Sequence, residues 1–121
     1  MFLSKKEIMA AVDIKTQIVS VPEWGGDVYV KNLSGSEREE YEASLYVIDN
    51  GKPVVSVKSM ASAKLRLCAL SLCDEKGGRI FDLKEVAELG KKSSDAIDKV
   101  YDAVLKVSGL SKEVVDELEK N

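Results

Sequence analysis

VSVPEWGGDVYVKNLSGSEREEYE, residues 19–42, reads as strand, tight turn, strand and capped helix in immediate succession. Pro22 ends the first strand by removing a ladder donor, and Gly25 and Gly26 allow the positive φ that a tight reversal needs. Residues 27–31 then alternate, with Val28 and Val30 on one side and Tyr29 and Lys31 on the other. Upstream, IKTQIVSV (14–21) sets Ile14, Thr16, Ile18 and Ser20 against Lys15, Gln17, Val19 and Val21. Its β-branched content supports a strand, so a β-hairpin is expected here. Ser34 and Glu37 have capping-box spacing, and Tyr41, Leu45 and Ile48 form a one-sided stripe, which together predict a helix over 34–48. The acidic run Glu37, Glu39 and Glu40 lies at the positive end of that helix dipole and reads as a solvated helix start.

Working outward, Ser4 and Glu7 form a second capping box, with Leu3 and Ile8 at staple positions, and predict a short helix over 4–12. Residues 1–13 are set apart as a peripheral element, either lying on the domain, fraying, or docking on a partner. Residues 49–62, DNGKPVVSVKSMAS, carry turn chemistry at Asn50, Gly51 and Pro53 and read as a mobile loop, with Val54, Val55 and Val57 as a brief edge strand at most. AKLRLCALSLC (63–73) fits both a buried strand and a buried helix. The hairpin-like DEKGG at 74–78, with Arg79 to Phe81 returning, favours strand. Beyond it, Asp82 with Glu85 caps a short helix ended by Gly90. A longer helix opens at Ser93 or Ser94 with the stripe Ile97, Val100, Tyr101, Val104 and Leu105. Gly109 closes it, and Ser111 caps a last helix with Val114, Val115 and Leu118 on one side. The expected fold is α+β: one domain over 1–121, a small antiparallel sheet of two hairpins, packed by the central helix and the C-terminal helices.

Composition narrows the chemistry. At 121 residues the chain is long enough for one core without a metal or disulfide framework. A formal net charge of −3 and no basic run argue against nucleic acid or an anionic membrane as partner. There is no histidine, which removes His-based acid–base catalysis, Ser–His and Cys–His pairs and most zinc sites. Cys68 and Cys73 are too far apart for a CxxC site and read as buried, reduced core thiols in a reducing cytoplasm. DEKGG lacks the EF-hand ladder, and Gly25–Gly26 lacks the spacing of a phosphate-binding loop. The N-terminal MFLSKKEIMAAVDIK has no continuous apolar run, so neither signal peptide nor membrane span is expected. No catalytic residue, cofactor or metal ligand is assigned.

VPEWGGDVYVKNLSGSEREEYE resembles the opening of the tail assembly chaperones of long, non-contractile-tailed bacteriophages (siphophages) and their prophages. Those proteins commonly begin with a short helix and a "V-P-E-W-G-G, strand, L-S/T-G-x-E-R" signature. Pro22, Glu23, Trp24, Gly25, Gly26, Leu33, Ser34, Gly35, Glu37 and Arg38 match it position by position. LCALSLCDEKGGRIF (67–81) and ELGKKSSDAIDKVYDAV (88–104) look like the family's second half. The resemblance implies a non-enzymatic cytoplasmic protein, absent from the finished virion. It would bind the tape-measure protein, keep it from aggregating and help recruit tail-tube subunits. It also implies self-association, and a second, frameshift-extended form of which this chain would be the shorter product.

Three aromatic residues are candidates for partner contact, because Trp and Tyr dominate interface hot spots. Trp24 is either such an anchor or a side chain folded over the hairpin to close one end of the core. Tyr29 divides in the same way. Tyr46 falls off the predicted helix stripe and is the best exposed candidate. The rival to the chaperone is a small adaptor domain, unrelated to phage, that docks a peptide or protein at the Trp24 turn.

Overall fold

In the computed structural model, which describes residues 1–109, the hairpin of the quoted stretch is the centre of the sheet. The chain runs through α1 (Lys5–Ala10), β1 (Thr16–Val21), β2 (Gly26–Lys31), α2 (Gly35–Ser44), β3 (Tyr46–Asp49) and β4 (Lys52–Val55). It continues through α3 (Val57–Ala61), α4 (Ala63–Ser71), β5 (Leu72–Cys73), α5 (Val86–Leu89) and α6 (Ser94–Val107). This is a mixed α+β fold.

β1 and β2 pair antiparallel, with Thr16 opposite Lys31 and Val21 opposite Gly26. Between them Pro22–Trp24 makes one turn of 3₁₀ helix, closed by the Gly25 N–H donating to the Pro22 carbonyl at 3.0 Å. Gly25 sits at φ +76°, a left-handed conformation that a side chain would strain. β5 pairs with the free edge of β2, so the sheet order is β1-β2-β5. Val19, Val21 and Val30 point from one sheet face into a cluster with Ala96, Ile97, Val100, Tyr101 and Val104 of α6. α4 packs on α6 and on α5, adding Cys68, Ala69 and Leu89 to the same core. Val21, Val30 and Val100 are completely buried, each contributing about 1.5–3 kcal/mol of hydrophobic stabilisation. Both cysteines are buried and free, and burial pushes the Cys68 thiol up to about 12.

Several expectations are corrected. The 34–48 helix ends at Ser44 with Leu45 as its cap, and Tyr46–Asp49 is strand β3. The stripe that runs through Ile48 therefore spans two elements. Residues 49–62 are more ordered than the expected loop: the brief strand expected at Val54 and Val55 forms as part of β4, but Val57 opens helix α3 instead of extending that strand. The second hairpin is thus β3–β4, which forms a separate two-stranded ribbon outside the main sheet. Residues 63–71 are helical, and only Leu72 and Cys73 are strand. α4 is buried on more than one side, at Ala63, Cys68, Ala69, Leu70 and Ser71, so its apolar residues show no single stripe. The Asp74–Gly78 turn does form, with the Asp74 N–H donating to the Gly78 carbonyl at 2.9 Å. The returning segment makes only one bridge, Cys73 to Arg79. The expected helix capped by Ser111 lies outside the described residues.

Candidate functional site

The exposed apolar surface gathers on two elements that the sheet and α6 do not cover. The first is the β3–β4 ribbon. Asn50 at φ +52° and Gly51 at φ +77° are both left-handed, which is the two-residue turn whose twist suits a tight hairpin. The register places Tyr46 opposite Val55, Val47 opposite Val54, and Ile48 opposite Pro53. Alternation along each strand then puts Tyr46, Ile48, Pro53 and Val55 on one face, with no charge among them. Ile48 is 73 % exposed, Val55 53 % and Tyr46 50 %. The base of the ribbon is closed by the Ser56 N–H donating to the Leu45 carbonyl at 2.8 Å.

The second element is the N-terminal arm. Ser4 Oγ accepts from the Glu7 N–H at 3.2 Å and Glu7 Oε1 accepts from the Ser4 N–H at 3.1 Å, so the capping box forms. The helix buries nothing, and Phe2, Leu3, Ile8, Met9 and Val12 are all exposed. The arm leaves the fold at a fixed point: Asn32 Oδ1 accepts from the Lys15 N–H at 2.7 Å, and Asn32 Nδ2 donates to the Asp13 carbonyl at 3.0 Å.

Polar groups hold the frame between these elements. Glu37, the third residue of the α2 capping box, also takes the Lys31 ammonium, which lies in the protein interior with only 7 % of its side chain exposed. Arg79 reaches Glu37 at 3.4 Å and Glu40 at 2.9 Å. Burial pushes the Glu37 carboxyl up, but Lys31, the Ser34 amide and Arg79 outweigh it and hold the group below its ordinary value. The hydrogen bonds that the Arg79 guanidinium donates to Glu40 raise Arg79 further, against the cost of burial. Glu37 is therefore a structural junction between β2 and α2, not part of a solvated helix start. Ser71 of α4 completes it: its hydroxyl accepts from the Lys31 N–H at 3.2 Å and donates to the Lys31 carbonyl.

The three aromatic candidates fall in three places. Trp24 is half-buried and packs against the core at the turn end of the hairpin. Beside it, Glu23 takes the Lys99 ammonium of α6 at 2.6 Å, and that hydrogen bond leads the causes that lower the Glu23 carboxyl. Tyr29 is half-buried in the middle of β2, opposite Ile18, which is itself 58 % exposed. Tyr46 begins the ribbon. Trp24 lies in the turn that joins β1 and β2, Tyr29 in strand β2 of the main sheet, and Tyr46 in the ribbon. Sequence reasoning placed Ile48 on a helix stripe and Val55 in a brief edge strand, and so missed the pairing that brings both onto one exposed ribbon face. Asn50–Gly51 between β-branched runs was the signal that could have found it.

Among the described residues, no group of three or more His, Cys, Asp or Glu side chains is placed to hold a metal ion, and no helix is long and apolar enough to cross a membrane. Comparison with known proteins points in one direction. The family model described as phage tail assembly chaperone matches residues 5–121. The chain is similar in structure to the tail assembly chaperone of bacteriophage HK97, with a TM-score of 0.56 and 22 % identity. That similarity covers 84 % of this chain and 94 % of the other. Comparison with curated proteins gives no match.

Proposed function

The chain belongs to the phage tail assembly chaperone family, and from that membership we propose that it binds the tape-measure protein during tail assembly. It keeps that protein from aggregating and helps to recruit tail-tube subunits. The observation that carries this reading is the uncharged ribbon face of Tyr46, Ile48, Pro53 and Val55, exposed on a stable frame. An apolar surface held out in this way suits transient burial of apolar segments of another protein, since large exposed apolar patches mark interaction sites. Tyr46 contacts the client there, with Tyr29 and Ile18 on the outer sheet face as a lesser patch. Trp24 contributes by its exposed half only.

The proposed work is binding, not turnover, and is carried out in the host cytoplasm by a protein that does not remain in the finished virion. The adaptor alternative has no observation in its favour. The test is co-expression with the tape-measure protein encoded beside this gene, followed by pull-down. Soluble tape-measure protein is expected only when this chain is present, and less of it when Ile48→Glu and Val55→Glu are introduced together. Tape-measure protein that is equally insoluble with and without the chain would overturn the proposal.

A further inference from the structure

β1 is an outer strand of the main sheet: β2 pairs with one side of it, and among the described residues no strand pairs with the other. The phase of its ladder is fixed by Asn32, whose N–H donates to the Lys15 carbonyl at 3.3 Å. Antiparallel pairs alternate between bonded and non-bonded. Gln17, Val19 and Val21 therefore turn their backbone groups to β2, and Thr16, Ile18 and Ser20 turn theirs away. The same alternation sends the Lys31 backbone away from β1, where Ser71 meets it. The outward N–H and C=O groups of Thr16, Ile18 and Ser20 have no hydrogen-bond partner among the described residues. Sheets guard such an edge with charge, Pro or a bulge. TQIVSV carries neither charge nor Pro, and its register runs unbroken from Thr16 to Val21.

We propose that this edge takes up an extended segment of the client as a further strand of the sheet, held by main-chain pairing. Such pairing rests on the client binding proposed above and adds a second contact to it. The side chains of Thr16, Ile18 and Ser20 share the outer sheet face with Tyr29, so the incoming strand is β-branched and uncharged on that face. Its other face runs beside α6. Lys99 of that helix reaches Glu23, just beyond β1, and Lys106 stands about two turns further along the same flank. Lys99 has its carboxylate, whereas Lys106 has no ion pair among the described residues. The segment therefore offers an acidic residue at that point. A second copy fits poorly, because α6 lies chiefly over β1. Pairing β1 with β1 would set two α6 helices side by side at less than the ~8–10 Å that packed helices keep, with the cations of both flanks turned on each other.

The test is residue-resolved hydrogen exchange on the full chain, alone and in complex with the co-expressed tape-measure protein. The amides of Thr16, Ile18 and Ser20 are expected to exchange quickly in the chain alone and on the order of tenfold more slowly in the complex. Those of Gln17, Val19 and Val21 are expected to be protected in both. Ser20→Pro removes one outward donor and leaves the ladder to β2 whole, since an edge strand tolerates Pro where the lost N–H faced solvent. With its fold checked by circular dichroism, it is expected to capture several-fold less client, whereas Ser20→Thr captures as much as wild type. Wild type that captures no client overturns the proposed function and the edge pairing with it. Captured client with the three outward amides still fast, or Ser20→Pro capturing as much as wild type, overturns only the edge pairing. Protection of those amides in the chain alone would overturn it too, assigning the edge to a second copy if it rises with concentration and to residues 110–121 if it does not.

Discussion

Replacing Glu37 by Gln separates the two tasks of that residue. Gln keeps the capping-box geometry at Ser34, because its amide oxygen still accepts from the Ser34 N–H. What is lost is the negative charge facing a Lys31 side chain that is only 7 % exposed, from a carboxylate that is 15 % exposed. A hydrogen bond to a charged group is worth ~1.5–3 kcal/mol, and here the residual exposure and the remaining Gln oxygen reduce the loss, so about 2 kcal/mol is expected. A chain of 121 residues lies between the size classes in which 1 kcal/mol moves Tm by ~4–8 °C and ~2–4 °C, so Tm should fall by roughly 6–12 °C. Lys31→Met keeps the buried stem and removes the ammonium, and the double variant should recover at least ~1 kcal/mol of the summed single losses. Urea unfolding of wild type, both singles and the double supplies the cycle. The carboxyl is held below its ordinary value, so its contribution is present above ~pH 4.3, the unfolded value, and is lost as pH falls through the folded one. Glu37→Gln should therefore flatten the acid limb of the stability profile. A cost under ~0.5 kcal/mol, or singles that simply add, would refute the junction role.

Three other outcomes follow from the same geometry. Leu72→Ala empties a site that is 1 % exposed and should cost ~2–5 kcal/mol in denaturant unfolding. Gly51→Ala forces a side chain into φ +77° and should loosen the ribbon by ~1–2 kcal/mol; hydrogen exchange should show faster ribbon amides with the sheet amides unchanged. Cys68, with its thiol pushed up to about 12 by burial, should resist iodoacetamide in the native state at pH 8 and react on unfolding. Because the unfolded chain ionises this thiol near its ordinary ~8.5, its contribution is intact below that pH and falls as pH rises toward the folded value.

Local rules sufficed where one element answers to its own residues. Pro22, Gly25 and the alternation in 27–31 gave the β1–β2 hairpin, the Ser–x–x–Glu boxes gave the starts of α1 and α2, and a clean stripe gave α6. The same pattern made 34–48 look like one helix, because Tyr41, Leu45 and Ile48 satisfy helical spacing whether or not the helix continues. Asn50 and Gly51 decide otherwise: a turn with both residues left-handed pairs Tyr46–Asp49 with Lys52–Val55, and the ladder hydrogen bonds outweigh the helical ones. Tertiary packing alone decided 63–71. A segment buried on several sides loses the periodicity that distinguishes helix from strand, and its Ser71 is settled only by the Lys31 backbone that it meets 40 residues away. The ion cluster likewise required the fold, since Lys31, Glu37 and Arg79 come from separate elements whose approach no spacing rule encodes. Trp24 packing on the core and the arm left uncovered were decided in the same way. Burial is a property of neighbours distant in the chain, and the sequence lists residues without saying which of them will be neighbours.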